Sequence, residues 1–172
     1  MSQTIYLGCL EVVTFYSNVF SSPFFQAFGF SVPGLSVHAG PGKQRVVTKE
    51  KQFGKTLQAE NISSLLQLYL DPTNNKRSAV VLAKIFKEKL NEILKLFETQ
   101  KTFHFFASSL LFVYDGEAAL QFERAGDEAE LRKSVQLKMI DFAHVWPAAG
   151  ELDQNYIRGV HSLIKLFSHI EN

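Results

Sequence analysis

The chain has 172 residues, 46% of them hydrophobic and 20% charged, with a formal net charge of +1. That length and apolar content suffice for one domain with a sizeable core, and the balanced charge offers no global field for nucleic acid or an anionic membrane. The single cysteine, Cys9, excludes an internal disulfide framework and cannot build a cysteine zinc site alone, which fits a reducing compartment.

The first residues carry no basic stretch of the kind a signal peptide needs, and no apolar run reaches the roughly 18 residues of a membrane span. The chain therefore reads as soluble and intracellular. Residues 12–16 predict a strand, while 17–26 mix Phe and Ser without a settled period. From Phe28 the pattern becomes regular. Residues 29–32 and 35–37 alternate as a strand or hairpin pair, and Pro33 between them marks an edge position or a local break. Gly40-Pro41-Gly42 predicts a turn, and 43–55 a basic linker. A short helix over 61–70 carries the stripe Ile62, Leu65, Leu66 and Tyr69, ended by Asp71-Pro72.

Residues 78–100 predict the longest helix. Leu82, Ile85, Phe86, Leu90, Ile93, Leu94 and Phe97 recur at helical spacing, with lysines mainly between them. Residues 103–114 run almost wholly apolar, as a strand buried on both sides would. Asp115-Gly116 turns the chain, and 126–132 reads as a charged surface connection whose Asp127, Glu128 and Glu130 are solvated rather than metal-binding. Next comes an alternating strand, with Val135, Leu137 and Met139 on one side and Gln136 and Lys138 on the other. It delivers Asp141 and His144 at its exit, where loops usually carry chemistry. A carboxylate on a rigid strand end suits Mg2+ held against a nucleotide phosphate; an aspartate that merely begins a turn is the other reading. Val145-Trp146-Pro147 leads into a loop, and Asp153 or Asn155 caps a last helix with the stripe Tyr156, Val160, Leu163, Ile164, Phe167 and Ile170. There is no internal repeat.

Several of these segments together resemble the inositol polyphosphate kinases, and are most similar to the multikinase branch of that family. They are Phe97-Glu98-Thr99-Gln100-Lys101, Phe106-Ala107-Ser108-Ser109-Leu110-Leu111-Phe112-Val113-Tyr114 and Met139-Ile140-Asp141-Phe142-Ala143-His144-Val145. Weaker segments at 29–35, 53–57 and 153–160 agree in order, so the resemblance covers the chain from about Phe28 onward. It implies an α+β fold: a kinase-like C-terminal lobe over 28–172, mostly antiparallel sheet packed with helices, preceded by a divergent segment over 1–27. It also implies transfer of the ATP γ-phosphate to a phosphorylated inositol, with ATP and Mg2+ as cofactors and a location in nucleus and cytoplasm. Asp141 matches the family's metal-binding aspartate, His144 a catalytic histidine that approaches the inositol phosphate, and Leu111 an apolar wall of the adenine pocket. Lys51 falls near a substrate-contacting position, where a lysine could meet a phosphate as a point charge.

The family's other signature, Pro-x-x-x-Asp-x-Lys-x-Gly, is expected upstream of Gly29, and residues 1–26 contain neither that motif nor any Lys or Arg. The resemblance therefore implies that the N-terminal lobe is missing and that these residues alone are weakly active or inactive. A catalytically silent binding or regulatory module on the same lobe is the competing expectation.

Overall fold

The computed structural model describes residues 7–13, 23–39, 45–49, 56–71 and 76–170. In chain order these form β1 (Leu7–Val13), α1 (Pro23–Phe28), β2 (Ser31–Ala39), β3 (Arg45–Lys49), a 3-10 turn (Ala59–Asn61) and α2 (Ile62–Leu70). Then follow α3 (Lys76–Phe97), β4 (Phe103–Phe106), β5 (Ser109–Asp115), α4 (Gly116–Ala125), α5 (Glu128–Ser134), β6 (Gln136–Ile140), β7 (His144–Pro147) and α6 (Gln154–Ser168). The fold is α+β. One five-stranded antiparallel sheet has the order β3-β2-β1-β5-β6, and a separate pair joins β4 to β7.

Periodicity decides what is buried. Leu82, Ile85, Phe86, Leu90 and Phe97 on α3 are fully buried, as are Tyr156, Val160, Leu163 and Phe167 on α6, because residues three and four apart share a helix face. Both stripes meet the inward side of the sheet, where Leu110, Phe112 and Tyr114 alternate with the half-buried Leu111 and Val113. Phe86 is central: its ring lies 5.3 Å from Phe112, 5.8 Å from Phe167 and 6.1 Å from Tyr69. Contacts between aromatic rings at such separations add to the area they bury.

Pro33 sits where the ladder slips. Between Glu11↔Gly34 and Val13↔Ser31, β2 advances one residue more than β1, so the irregularity falls at Val32-Pro33. A residue without an N–H fits a slip better than a regular rung. The expected break is thus present, but 31–39 form one strand and not a hairpin pair. At the end of α1, Gly29 adopts φ +74°, and a Cβ there would lie 3.3 Å from Arg158 Cγ and 3.4 Å from the Gly159 amide. α1 therefore docks closely on α6, where the Arg158 guanidinium also donates to the Gln26 carbonyl.

Other expectations need correction. Of the strand expected at 12–16, Val12 and Val13 end β1 (Leu7–Val13) and 14–16 lie outside the described residues, while part of the basic linker, Arg45–Lys49, is a strand. The apolar run 103–114 is two strands in two sheets, and Val145-Trp146-Pro147 belongs to β7. Residues 116–125 form a helix that the Asp115-Gly116 turn signal concealed; Asp115 is its N-cap and accepts from the Glu117 amide at 2.8 Å. The charged stretch 126–132 is mostly helix α5, N-capped by Asp127, with Glu128 and Glu130 paired to Arg132 and Lys133. The expected turns at 40–42 and 72–75 lie outside the described residues.

Two buried phenols set an alkaline limit on stability. Tyr114 and Tyr156 are 2% and 1% exposed, and Tyr114 donates to the Tyr69 carbonyl at 2.5 Å. Burial is the main reason that both phenols lie well above their ordinary value, and the Asp71 carboxylate pushes Tyr114 the same way. A raised folded-state value leaves stability intact below the unfolded value of about 10, and removes it as pH climbs beyond that. Each phenol contributes about 1.4 kcal/mol per pH unit in that window. Urea unfolding followed from pH 9 to pH 11 should show a decline beginning near pH 10, with a shallower slope in Tyr114→Phe. A flat profile would mean that the two hydroxyls ionise in place.

Candidate active site

Two strands leave one sheet and enter the other at the same level. The β5–β6 ladder ends at Ser109↔Ile140, and the β4–β7 ladder starts at Phe106↔His144. Between those rungs lie Ala107 and Ser108 on one segment and Asp141, Phe142 and Ala143 on the other. Each segment makes the turn with a left-handed residue, Ala107 at φ 54° and Asp141 at φ 60°. Aspartate tolerates that conformation better than most residues, whereas alanine does not.

The Asp141 side chain is exposed and has neither a hydrogen bond nor an ion pair among the described residues. The residue that follows it is anchored. Phe142, 51% exposed, leans edge-on against Phe105 at 6.0 Å. Phe105 in turn packs on Phe97 and Tyr156, which stack on each other at 3.8 Å with their planes 2° apart. Beneath them the buried Asp153 carboxylate caps α6, accepting from the Tyr156 amide at 3.0 Å, and ties down β4 by accepting from the Phe105 amide at 2.8 Å. The strand exit is thus joined, through Phe142, to an aromatic stack tied down by two backbone bonds.

His144 is exposed at the start of β7, directly across from Phe106. Leu111 is half-buried on the side of β5 turned away from the core, with Lys138 directly opposite on β6 and Glu11 opposite in the β1 register. Residues directly opposite on an antiparallel pair share a face, so Leu111 and Lys138 do. Lys138 went unassigned in the sequence, although the alternation Gln136-x-Lys138 had already placed it on the outward side. Along β6, Asp141 lies three residues beyond Lys138, about 10 Å at strand rise. Leu111 thus lies on the outward face of the large sheet, Asp141 at the exit of β6 and His144 at the start of β7, while Lys51 lies outside the described residues.

Among the described residues, no three His, Cys, Asp or Glu side chains converge as a metal site. One free carboxylate at a strand exit still fits Mg2+, which is commonly held by one or two carboxylates together with substrate phosphates and water.

The fold is that of the inositol phosphate kinases. The yeast (S. cerevisiae) inositol phosphate multikinase Ipk2, solved with ADP and Mn2+, superposes with a TM-score of 0.76 at 19% identity, over 97% of this chain and 79% of that one. The chain belongs to the inositol polyphosphate kinase family, whose model matches residues 17–168. Similar proteins include Arabidopsis thaliana inositol polyphosphate multikinase beta, 38% identical over 82 residues, which is 48% of this chain and 26% of that protein. The human multikinase is 33% identical over 96 residues, 56% of this chain and 22% of that protein. Mouse inositol hexakisphosphate kinase 3 is 28% identical over 158 residues, 83% of this chain and 38% of that protein. The chain thus spans between about a fifth and two fifths of the length of these relatives. Among the described residues, no helix is long and apolar enough to cross a membrane.

Proposed function

We propose that this chain carries the metal-binding half of an ATP-dependent inositol polyphosphate kinase site. The supporting observation is the free Asp141 carboxylate, held left-handed at the exit of β6, three residues beyond Lys138, the residue paired with Leu111 on β5. A nucleotide lying on that face would set its base against Leu111 and its phosphates near Asp141. A bound Mg2+ would neutralise charge on the transferred phosphoryl group. Asp141 would hold that ion, while Lys138, Lys51 and His144 supply positive charge or hydrogen bonds to phosphate oxygens. In the transfer, an inositol hydroxyl oxygen bonds to the γ-phosphorus, and the bond from that phosphorus to the bridging oxygen breaks. ADP leaves with the electron pair, and the hydroxyl proton can pass to the His144 imidazole.

On their own, these residues should turn over slowly or not at all. Strand β1, between β2 and β5, reads Leu-Gly-Cys-Leu-Glu-Val-Val and contains no Asp-x-Lys pair. Phosphoryl transfer relies on positioning and charge acting as a unit, and losing one such group costs about a hundred- to a thousandfold. That observation also favours a second reading, a binding module that retains the lobe without the reaction.

The test is calorimetric titration of the purified chain with ADP, with and without Mn2+, beside Asp141→Asn. Metal-dependent binding weakened at least tenfold by the substitution is the expected result. Equal binding by both proteins would remove Asp141 from the metal site. A parallel assay of phosphate transfer from ATP to inositol trisphosphate separates the two readings: binding without turnover supports the module.

A further inference from the structure

Helix α6 buries one face, through Tyr156, Val160, Leu163 and Phe167. On its solvent side Arg158, His161 and Lys165 recur at three- and four-residue spacing and are all exposed, so they share a face. No Asp or Glu occurs from Gln154 to Ile170, and among the described residues no carboxylate pairs with any of the three. On α3 and α5, by contrast, Lys84, Arg132 and Lys133 each meet a glutamate. Beside the Lys165 end of the stripe, α6 meets the end of α1 and the start of α2 around a cavity of about 320 Å³. Phe28, Ile62 and Leu166 give it an apolar wall, the exposed Lys165 and His169 border it, and no carboxylate lines it. The His169 ring is held there by its Nδ1 on the Lys165 carbonyl at 2.7 Å. Part of this has a structural use. The Arg158 guanidinium donates to the Gln26 carbonyl of α1, and a cation in the last turn suits the helix dipole. Neither use accounts for an apolar cavity beside a lysine that meets no acid.

We propose that this face of α6 docks an acidic segment of a partner protein, which seats one apolar side chain in the cavity and lays its carboxylates along the stripe. Charge complementarity selects the occupant: carboxylates accept from the Lys165 ammonium, the Arg158 guanidinium and an imidazole N–H of His161. The backbones of Arg158 and Lys165 lie about 10 Å apart along the helix, the length of about three extended residues. An apolar anchor and acids within three positions of it are therefore engaged together. Glu60, on the adjacent 3-10 turn, is exposed and does not line the cavity. A bilayer fits less well, because membrane-surface binding needs protruding apolar side chains, and the exposed large hydrophobic residues described, Val80, Leu96, Phe103, Phe142 and Trp146, lie on other elements. A second copy of the chain is a poorer match, since Glu88, Glu128 and Glu130 are already engaged by Arg132 and Lys133. Nucleic acid would need a longer basic stripe than two permanent cations. None of these residues belongs to the site around Asp141, so the docking face stands apart from the kinase reading.

The test is fluorescence anisotropy of a labelled peptide, Glu-Glu-Leu-Glu-Glu, titrated with the purified chain at low salt. Saturable binding with a Kd below about 1 mM is expected. Replacing the peptide's leucine by serine should weaken it about tenfold, because the cavity then loses its apolar occupant. Lys165→Glu and His161→Glu should each weaken the leucine peptide about tenfold by setting like charges against each other. Ala59→Trp fills the cavity from the exposed 3-10 turn without altering charge, and should weaken it to a similar extent. The three variants sit on two separate elements, and circular dichroism with a thermal midpoint close to the parent's identifies those that fold. No saturation at millimolar chain, or equal affinity for the serine peptide, would overturn the proposal. So would peptide binding indifferent to Ala59→Trp. Binding to phosphatidylserine vesicles but not to the peptide would overturn it in favour of a membrane. Dimers in sedimentation that Lys165→Glu disperses would overturn it in favour of a second copy. ADP binding that fails in the parent would bear on the kinase reading alone.

Discussion

Asp153→Ala is expected to lower the unfolding free energy by about 3 kcal/mol. The carboxylate is 3% exposed and uses both oxygens, one on the Tyr156 amide at 3.0 Å and the other on the Phe105 amide at 2.8 Å. An N-cap lost to alanine costs about 1 kcal/mol, and stranding a second backbone N–H in a part-buried place costs about 1–3 kcal/mol more. The two bonds also join elements that are otherwise tied by ring packing, α6 through Tyr156 and β4 through Phe105. Asp153→Asn keeps one acceptor oxygen and turns an amide NH2 toward the other donor, so it should lie between the parent and alanine. Urea unfolding with an unchanged denaturant slope gives the comparison. A loss below about 1 kcal/mol in the alanine variant would mean that the aromatic stack alone holds β4 against α6.

How far the sequence disclosed this arrangement depended on whether a local signal existed. The stripe from Leu82 to Phe97 and the capped stripe from Tyr156 to Phe167 were legible because each residue reports its own face through its neighbours three and four positions away. The break inside 103–114 was not. It rests on Ala107 at φ 54°, and alanine gives no warning of a left-handed turn as glycine would. Helix α5 was legible in principle. Asp127 followed three residues later by Glu130 has the spacing of a capping box, with acids in the first turn and Arg132 and Lys133 in the last. Its charge density had suggested a solvated link instead. Asp141 and His144 stood out as residues at a strand exit, a purely local feature. His104 and Trp146 could not be paired from sequence, because their partnership depends on the register between strands 42 residues apart in the chain.

Asp141→Gly should move stability and metal binding in opposite directions. At φ 60° an L-residue bears a steric penalty of about 1–2 kcal/mol, reduced for aspartate, and glycine bears none. Glycine gives back part of that gain, roughly 0.5–1 kcal/mol, through the greater freedom of the unfolded chain. Because the carboxylate is exposed and unpaired among the described residues, its removal sacrifices no contact. The net expectation is a gain of about 0.5 kcal/mol in unfolding free energy. Metal-dependent ADP binding should meanwhile fall by a factor on the order of a hundred, as expected when a charged ligand of a phosphate-bridging cation is deleted. Asp141→Ala serves as the reference: it keeps the backbone penalty, loses the carboxylate, and should bind no better than glycine while being less stable. The competing view is that Asp141 merely begins a turn, with its side chain bonded to nearby backbone. In that case glycine would destabilise, and metal-dependent binding would stay as it was. A strained position occupied by aspartate where glycine would be more stable is a sign that the carboxylate is kept for what it binds.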